Sequence, residues 1–327
     1  MLLTGYAVLD GFDLGVGITH LLIPRTEHER RLAINSIGPL WDGNEVWLVT
    51  FGGAMFAAFP DAYATVFSGF YTAFMALLFA LILRAVSIEF RSKVAAPGWR
   101  RVWDVCFSAG STVAALLFGV ATGNIMRGIP LDARGNFTGS LLDLLNPYAL
   151  LVGVLTVSLF AMHGTIYLHL KTEGPLQRRT VEWMWRTFGV FLLTYVLTTM
   201  FTLVAVPRAV AHLVETPILW AVPVANVFAI VNIPRAIHRG SAGHAFVSSS
   251  AVIVAMVFLL GAALFPNLVP SHPEPQHGLT IWNAASSART LEIMLLVAVI
   301  GMPGVLAYTA TVYWTFRGKV RLDEHSY

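Results

Sequence analysis

The sequence predicts an all-α integral membrane protein with nine transmembrane helices. Three observations point there. Of its 327 residues, 56% are hydrophobic and only 12% charged, about half the charged share of soluble domains. The apolar residues fall in blocks of the length that spans hydrocarbon, about 17–25 residues, and mean hydropathy is +0.69. Basic residues gather in alternate connections between those blocks. Together these exclude an ordinary soluble protein. Topology accounts for the net charge of +3 without a nucleic-acid partner.

The blocks lie near residues 1–23, 43–59, 62–90, 104–126, 147–170, 187–206, 217–234, 244–265 and 290–314. The first is the weakest, because it starts at Met1 and holds Asp10 and Asp13. Only Pro60 and Asp61 separate the second from the third, which predicts a tight hairpin. The connection 127–146 carries Gly128, Pro130, Gly135 and Gly139, and 266–289 carries Pro266, Pro270, Pro273 and Pro275. Both are expected to be extended loops rather than helices. Cys106 stands alone inside an apolar block and can form no internal disulfide. With no repeat and no soluble segment, residues 1–327 read as a single polytopic membrane domain.

Charge then orients the chain. The odd-numbered connections and the C-terminus hold Arg25, Arg30 and Arg31; Arg91, Lys93, Arg100 and Arg101; Lys171, Arg178, Arg179 and Arg186; Arg235 and Arg239; and Arg317, Lys319 and Arg321. The even-numbered connections hold only Arg127, Arg134, Arg208 and Arg289. This imbalance predicts an outside N-terminus and a cytoplasmic C-terminus.

Six ionisable side chains interrupt the first three spans. Asp10 and Asp13 fall near the middle of the first span, and Asp42 and Glu45 enter the second from the cytoplasmic side. Arg84 and Glu89 lie on the third as it returns. The three-residue spacing of Asp42 and Glu45 puts both on one helix face. The hairpin makes Arg84 a counter-ion for Asp42 or Glu45, which lowers the cost of each buried charge. Such a cluster can carry protons in from the cytoplasm. It can equally be a set of ion pairs holding three spans in register, and the sequence physics favours neither.

The remaining polar features are quieter. Gly11, Gly15 and Gly17 form a small-residue face that admits a close helix neighbour, although glycine is common in membrane helices; Phe51-Gly52-Gly53 invites the same two readings. His20, His163 and His169 lie toward the inner ends of their spans, His28, His212, His272 and His277 in loops, and His238 and His244 flank a connection. No pair stands at mid-membrane on facing spans as a bis-histidine haem requires, so His163 reads as a polar packing residue near the interface. No metal, phosphate or dinucleotide motif appears. Trp41, Trp99, Trp103 and Trp314 at span ends read as interfacial anchors.

Two long motifs carry a resemblance: Leu9-Asp10-Gly11-Phe12-Asp13-Leu14-Gly15-Val16-Gly17 and Asn35-Ser36-Ile37-Gly38-Pro39-Leu40-Trp41-Asp42-Gly43-Asn44-Glu45-Val46-Trp47. Phe56-Ala57-Ala58-Phe59-Pro60, Glu89-Phe90-Arg91-Ser92-Lys93, Thr216-Pro217-Ile218-Leu219-Trp220, Phe265-Pro266, Ser286-Ser287 and Tyr313-Trp314 extend it over nearly the whole chain. The chain resembles the second subunit of the cytochrome bd quinol oxidases. That resemblance implies two four-helix bundles plus one peripheral helix, in a bacterial cytoplasmic membrane. It implies no cofactor on this chain, with two haems b and haem d on a related subunit I that oxidises the quinol. The remaining partners are membrane lipid and the quinol pool, with room for a small accessory subunit.

The resemblance further implies that the chain stabilises the complex, lines part of a cytoplasmic proton path and, in some members, offers oxygen a route to haem d. Asp10, Asp42 and Arg84 match polar positions along that path. Asp13 and Glu45 match its motifs, and Glu89 joins them by depth. Family members usually begin several residues earlier, so the outer turn of the first helix is expected to be missing. The loop between the sixth and seventh spans is also short. Two rival roles remain: a purely structural assembly subunit, and a proton-coupled transporter. Paired broken helices in corresponding halves, which a transporter would favour, are not evident.

Overall fold

The computed structural model describes residues 1–322, apart from the side chains of 211–213. Of His212, expected in a loop, only the backbone is therefore described, and it is helical. The helices are α1 (Leu2–Thr19), α2 (Glu27–Ile37), α3 (Trp41–Ala58), α4 (Pro60–Gly69), α5 (Tyr71–Phe90) and α6 (Pro97–Arg127). After them come α7 (Pro147–Lys171), α8 (Gly174–Ala205), α9 (Arg208–Glu215), α10 (Ala221–His238), α11 (Ala242–Leu264) and α12 (Ala288–Thr315).

Among the described residues, seven helices are long and apolar enough to cross a membrane: α5 with its following turn, α6, α7, α8, α10 with its preceding turn, α11 and α12. The other two expected spans, α1 and α3, are also helical, but each has only 18 residues. Such a helix is about 27 Å long, just under a hydrocarbon core of about 30 Å. Their carboxylates dilute what apolar content they have.

Four boundaries differ from the sequence reading, each for a local reason. The connection 24–42 contains α2, which begins at a reciprocal capping box. Thr26 Oγ1 accepts from the Glu29 amide at 3.2 Å, and Glu29 Oε2 accepts from the Thr26 amide at 3.2 Å. His28 therefore sits on a helix rather than in a loop. The third block is broken at Phe70, a side chain buried against the 127–146 connection, with Gly69 lying under Phe137. The fourth and sixth spans start early, so Arg178, Arg179 and Arg186 ride on the opening turns of α8. At 31 and 32 residues, α6 and α8 are about 46–48 Å long and overhang any bilayer core.

Helix α1 is the hub. It packs on α7, α3, α6 and α11, and nearly every residue from Tyr6 to Thr19 is buried. Its glycine face makes the closest crossing in the fold: a Cβ on Gly15 would lie 1.9 Å from the Phe160 carbonyl, and one on Gly164 2.4 Å from the Gly15 backbone. Only residues without side chains fit there. Gly11 faces the Phe160 ring, whereas Gly52 and Gly53 face no neighbour in this chain. Helices α5, α6, α7 and α8 pack in sequence order, and α10 and α11 pair, with α11 against α7 and α10 against α8. Helix α12 packs chiefly along α3 and buries no residue.

Away from the basic connections, the two loops expected to be extended are so, and they pair. Strands β1 (Asn267–Val269) and β2 (Leu279–Thr280) run antiparallel. The Ile129 amide donates to the Pro270 carbonyl at 3.1 Å. At the basic end, the chain after α12 ties back to α7: the Val320 amide donates to the Lys171 carbonyl at 2.8 Å and Lys319 Nζ to the Thr172 carbonyl at 2.9 Å.

Replacing Gly164 by Ala should destabilise the subunit by about 1–3 kcal/mol, because the added methyl meets backbone that cannot move aside. Thermal unfolding of the detergent-solubilised protein measures it. An unchanged midpoint would contradict the close crossing.

Candidate functional site

On the side of α1 away from Gly15, the acids meet their cation. Arg84 of α5 is wholly buried and clamps Asp10, with Nη2 at 2.5 Å from Oδ1 and Nη1 at 3.1 Å from Oδ2. Nη1 also donates to Glu45 Oε1 of α3 at 2.8 Å. One guanidinium thus ties three helices together, a planar two-pronged role that lysine cannot fill.

Asp13, one turn along α1 from Asp10, is also fully buried. Its Oδ2 accepts from Asn44 Nδ2 at 2.7 Å, and Asn44 Oδ1 accepts from Tyr313 Oη of α12 at 3.0 Å. Asp13 Oδ1, Arg84 Nε and the hydroxyl of Tyr6 have no hydrogen-bond partner among the described residues. Two carboxyl groups therefore share one guanidinium, and a third, Asp13, rests on a neutral amide one turn away. A buried charge needs a counter-charge, so an excess of carboxyls over cations is an arrangement that can take up and release protons.

Four of the six expected side chains come together: Asp10, Asp13, Glu45 and Arg84. The other two do not. Asp42 sits in the first turn of α3 and is exposed on the single chain, so Arg84 pairs with Glu45 rather than with it. Glu89 is half-buried farther along α5, beyond the cluster. Glu45 lies between these extremes, with 23% of its side chain exposed on the outer flank of α3. His163 is deeper than expected. Wholly buried, it bridges α1, α7 and α11, with Nδ1 2.7 Å from Ser249 Oγ, Nε2 3.1 Å from the Val8 carbonyl, and its ring stacked on Phe246. Both ring nitrogens are thereby engaged.

This polar core can now be set against known proteins. The family model for cytochrome bd terminal oxidase subunit II matches residues 1–316. The chain belongs to that family. It is 38% identical to subunit 2 of cytochrome bd-I ubiquinol oxidase from Escherichia coli K12, over 99% of this chain and 93% of that one. It is 35% identical to cytochrome bd ubiquinol oxidase subunit 2 of Bacillus subtilis, over 99% and 95%. The bd oxidase structure from Geobacillus thermodenitrificans superposes with a TM-score of 0.77 at 16% identity, covering 96% of this chain and 95% of that one.

This subunit II also holds a second ionic cluster, at the basic end, that reading the spans missed. Asp104 of α6 is fully buried and accepts from His20 Nε2 at 2.6 Å, Arg91 Nε at 2.6 Å and Arg30 Nη1 at 3.2 Å. Arg91 then forks onto both oxygens of Glu27 at 2.9 Å. Nearby, Glu29 accepts from Arg179 Nη1 at 2.8 Å and from the Arg25 amide at 2.6 Å. Burial favours the neutral form of the Glu29 carboxyl, but the Arg179 guanidinium and the two backbone amides overcome it and hold the group below its ordinary range. Asp104 escaped notice because it opens an apolar block, where a lone carboxylate resembles a loop residue. The capping box of α2 was the signal available for Glu29.

Two outcomes follow from this geometry. Replacing Arg84 by Met leaves buried carboxylates uncompensated and should cost about 3–5 kcal/mol, read as a lowered unfolding temperature and poor recovery of the subunit; Arg84→Lys should retain only part of the loss. Because Glu29 ionises more readily folded than unfolded, its contribution is present above the unfolded carboxylate value of about 4.3 and disappears as pH falls through the folded value. Glu29→Gln should therefore lower the unfolding temperature at pH 7 and converge with the wild type in strong acid. A gap that stays constant with pH would refute the assignment.

Proposed function

We propose that this chain is the haem-free second subunit of a quinol-oxidising, oxygen-reducing membrane complex, and that its buried carboxyls carry protons to the partner that performs the redox chemistry. The subunit is one polytopic membrane domain of nine spans, counting α1 and α3, with α4 and α5 together as the third. The helices form two four-helix bundles with α12 peripheral to them. The basic connections lie in the bacterial cytoplasm, so the N-terminus is outside and the C-terminus inside. The haem-bearing subunit I supplies two haems b and haem d, and quinol from the membrane pool is its reductant.

The observation that carries the proton role is the surplus of carboxyls around Arg84. Asp10 and Glu45 share that one cation inside the protein, and buried Asp13 beside them has only a neutral amide. The two acids on α3 lead outward: Glu45 is partly exposed on the isolated chain and Asp42 exposed. Subunit I seated over that flank of α3 would receive protons there. The charge taken up from the cytoplasm meets electrons from quinol oxidised at the other side, and the reaction is electrogenic without any pump cycle in this chain.

A purely structural role is favoured by one specific feature: the clamp of Arg84 on Asp10 already pairs each charge with its opposite, as a packing ion pair does. One experiment separates the two readings. In the purified two-subunit complex, Asp42→Asn and Glu45→Gln should slow quinol-driven oxygen consumption by about tenfold or more while haem content and assembly stay normal. Normal turnover in both variants would end the proton role, and joint loss of haem and subunit would make the cluster structural. A colourless preparation without partner would favour a transporter.

A further inference from the structure

The polar groups of α1 do not stop at Asp13. Tyr6, Asp10, Asp13, Gly17 and His20 follow one another at spacings of four, three, four and three, which places them in one narrow stripe. The stripe is buried: Tyr6 is 3% exposed, Asp10 and Asp13 0%, and His20 1%. Opposite Gly17 stands Ser111 of α6, 0% exposed, with its Oγ 2.0 Å from where a Cβ on residue 17 would lie. On α6, Asp104, Ser108 and Ser111 repeat the four-three spacing, so the polar faces of α1 and α6 run along each other.

Along this stripe the side-chain atoms His20 Nδ1, Ser111 Oγ, Asp13 Oδ1 and Tyr6 Oη have no hydrogen-bond partner among the described residues. A helical serine or threonine ordinarily turns back to a carbonyl in the preceding turn, as Thr112 and Thr19 do here. Ser111 does not. Each such bare atom would cost about 1–3 kcal/mol, and buried water is the usual partner of polar groups in this position. Scattered, they would be separate packing defects. In file, they form a hydrogen-bonding column. His20 lies about 10 Å from Asp13 along the axis, with Ser111 between them at the level of Gly17.

We propose that His20, held by Asp104, is the proton-loading residue at the basic end of this column, passing protons by way of Ser111 to Asp13 and Asp10. The inference rests on the proton-carrying role proposed above and names where that path begins. With Nε2 on Asp104, Nδ1 is the ring atom left for the column. A proton delivered through Asp104 bonds to Nε2 as Nδ1–H gives its own proton to the next acceptor, so one N–H forms as the other breaks; exchange of the ring tautomer then resets the neutral imidazole. Arg91 and Arg30, both bound to Asp104, face the pair with like charge, so a loaded proton is not trapped. Phe107 closes the remaining side of the ring edge-on. The side chains of Arg30, 23% exposed, and Glu27, 39% exposed, connect the buried pair to solvent.

The test uses the intact complex reconstituted in vesicles, following oxygen consumption and proton uptake from the side of the basic connections. His20→Gln should slow both by about tenfold with haem content unchanged. Ser111→Ala, which removes only an unpartnered hydroxyl, should slow both severalfold and enlarge the solvent deuterium isotope effect. Asp10→Asn run alongside distinguishes the two levels of the argument. Slow Asp10→Asn with wild-type rates in His20→Gln and Ser111→Ala would overturn the loading role and leave the proton path standing. Wild-type rates in all three would overturn both. Should His20→Gln fail to assemble, Ser111→Ala decides: a slow, fully assembled complex supports the column, and a normal rate removes it.

Discussion

One buried guanidinium holds the centre of this protein together. Arg84 reaches Asp10 on α1 and Glu45 on α3 from its own place on α5, and it is the one cation paired with those acids among the described residues. Remove it and several carboxylates are stranded in a low-dielectric interior, a far larger penalty than the loss of a surface ion pair. The arrangement also depends on the opposite side of α1. Gly15 and Gly164 let α7 come close enough to seat α1 in the middle of the helices, and from there its acids reach α3 and α5 together. Glycine face and acid face are two halves of one design.

The two ionic clusters differ in their balance of charge. Near the basic connections, Asp104, Glu27 and Glu29 are each matched by arginines, and the pairs lace α2, α6 and α8 to the ends of α1 and α5. Cation and anion there are nearly balanced. Around Arg84 carboxyls outnumber cations. The same residue types serve both clusters, and what differs is the ratio in which they meet.

Much of the architecture was legible from the chain alone, because span length and hydropathy report directly on what hydrocarbon will tolerate. Among the described residues, seven of the nine apolar blocks hold helices long and apolar enough to cross a membrane, and Arg84 does meet Glu45, one of the two partners the hairpin offered it. The same reasoning also offered it Asp42, which lies exposed at the start of α3. It did not find Asp10, whose contact depends on α1 packing centrally, a tertiary fact that no local pattern carries. Helix α2 went unseen because counting apolar runs cannot find a short polar helix, although Thr26 and Glu29 spelled out its cap. Asp104 was hidden by lying at the edge of a block. The break at Phe70 depends on a loop folding back from elsewhere, and nothing in the surrounding residues announces it.

The separation of Asp10 from Arg84 bears on how the protein is made. Their sequence separation is 74 residues, and synthesis runs from the N-terminus at about 5–20 residues per second. For several seconds α1 exists with two acids and no cation to receive them. An aspartate at the centre of an isolated helix costs about 3 kcal/mol to insert. The nascent first segment must therefore linger at the interface or inside the insertion machinery until α5 emerges, and the assembly of this subunit waits on the arrival of a single arginine.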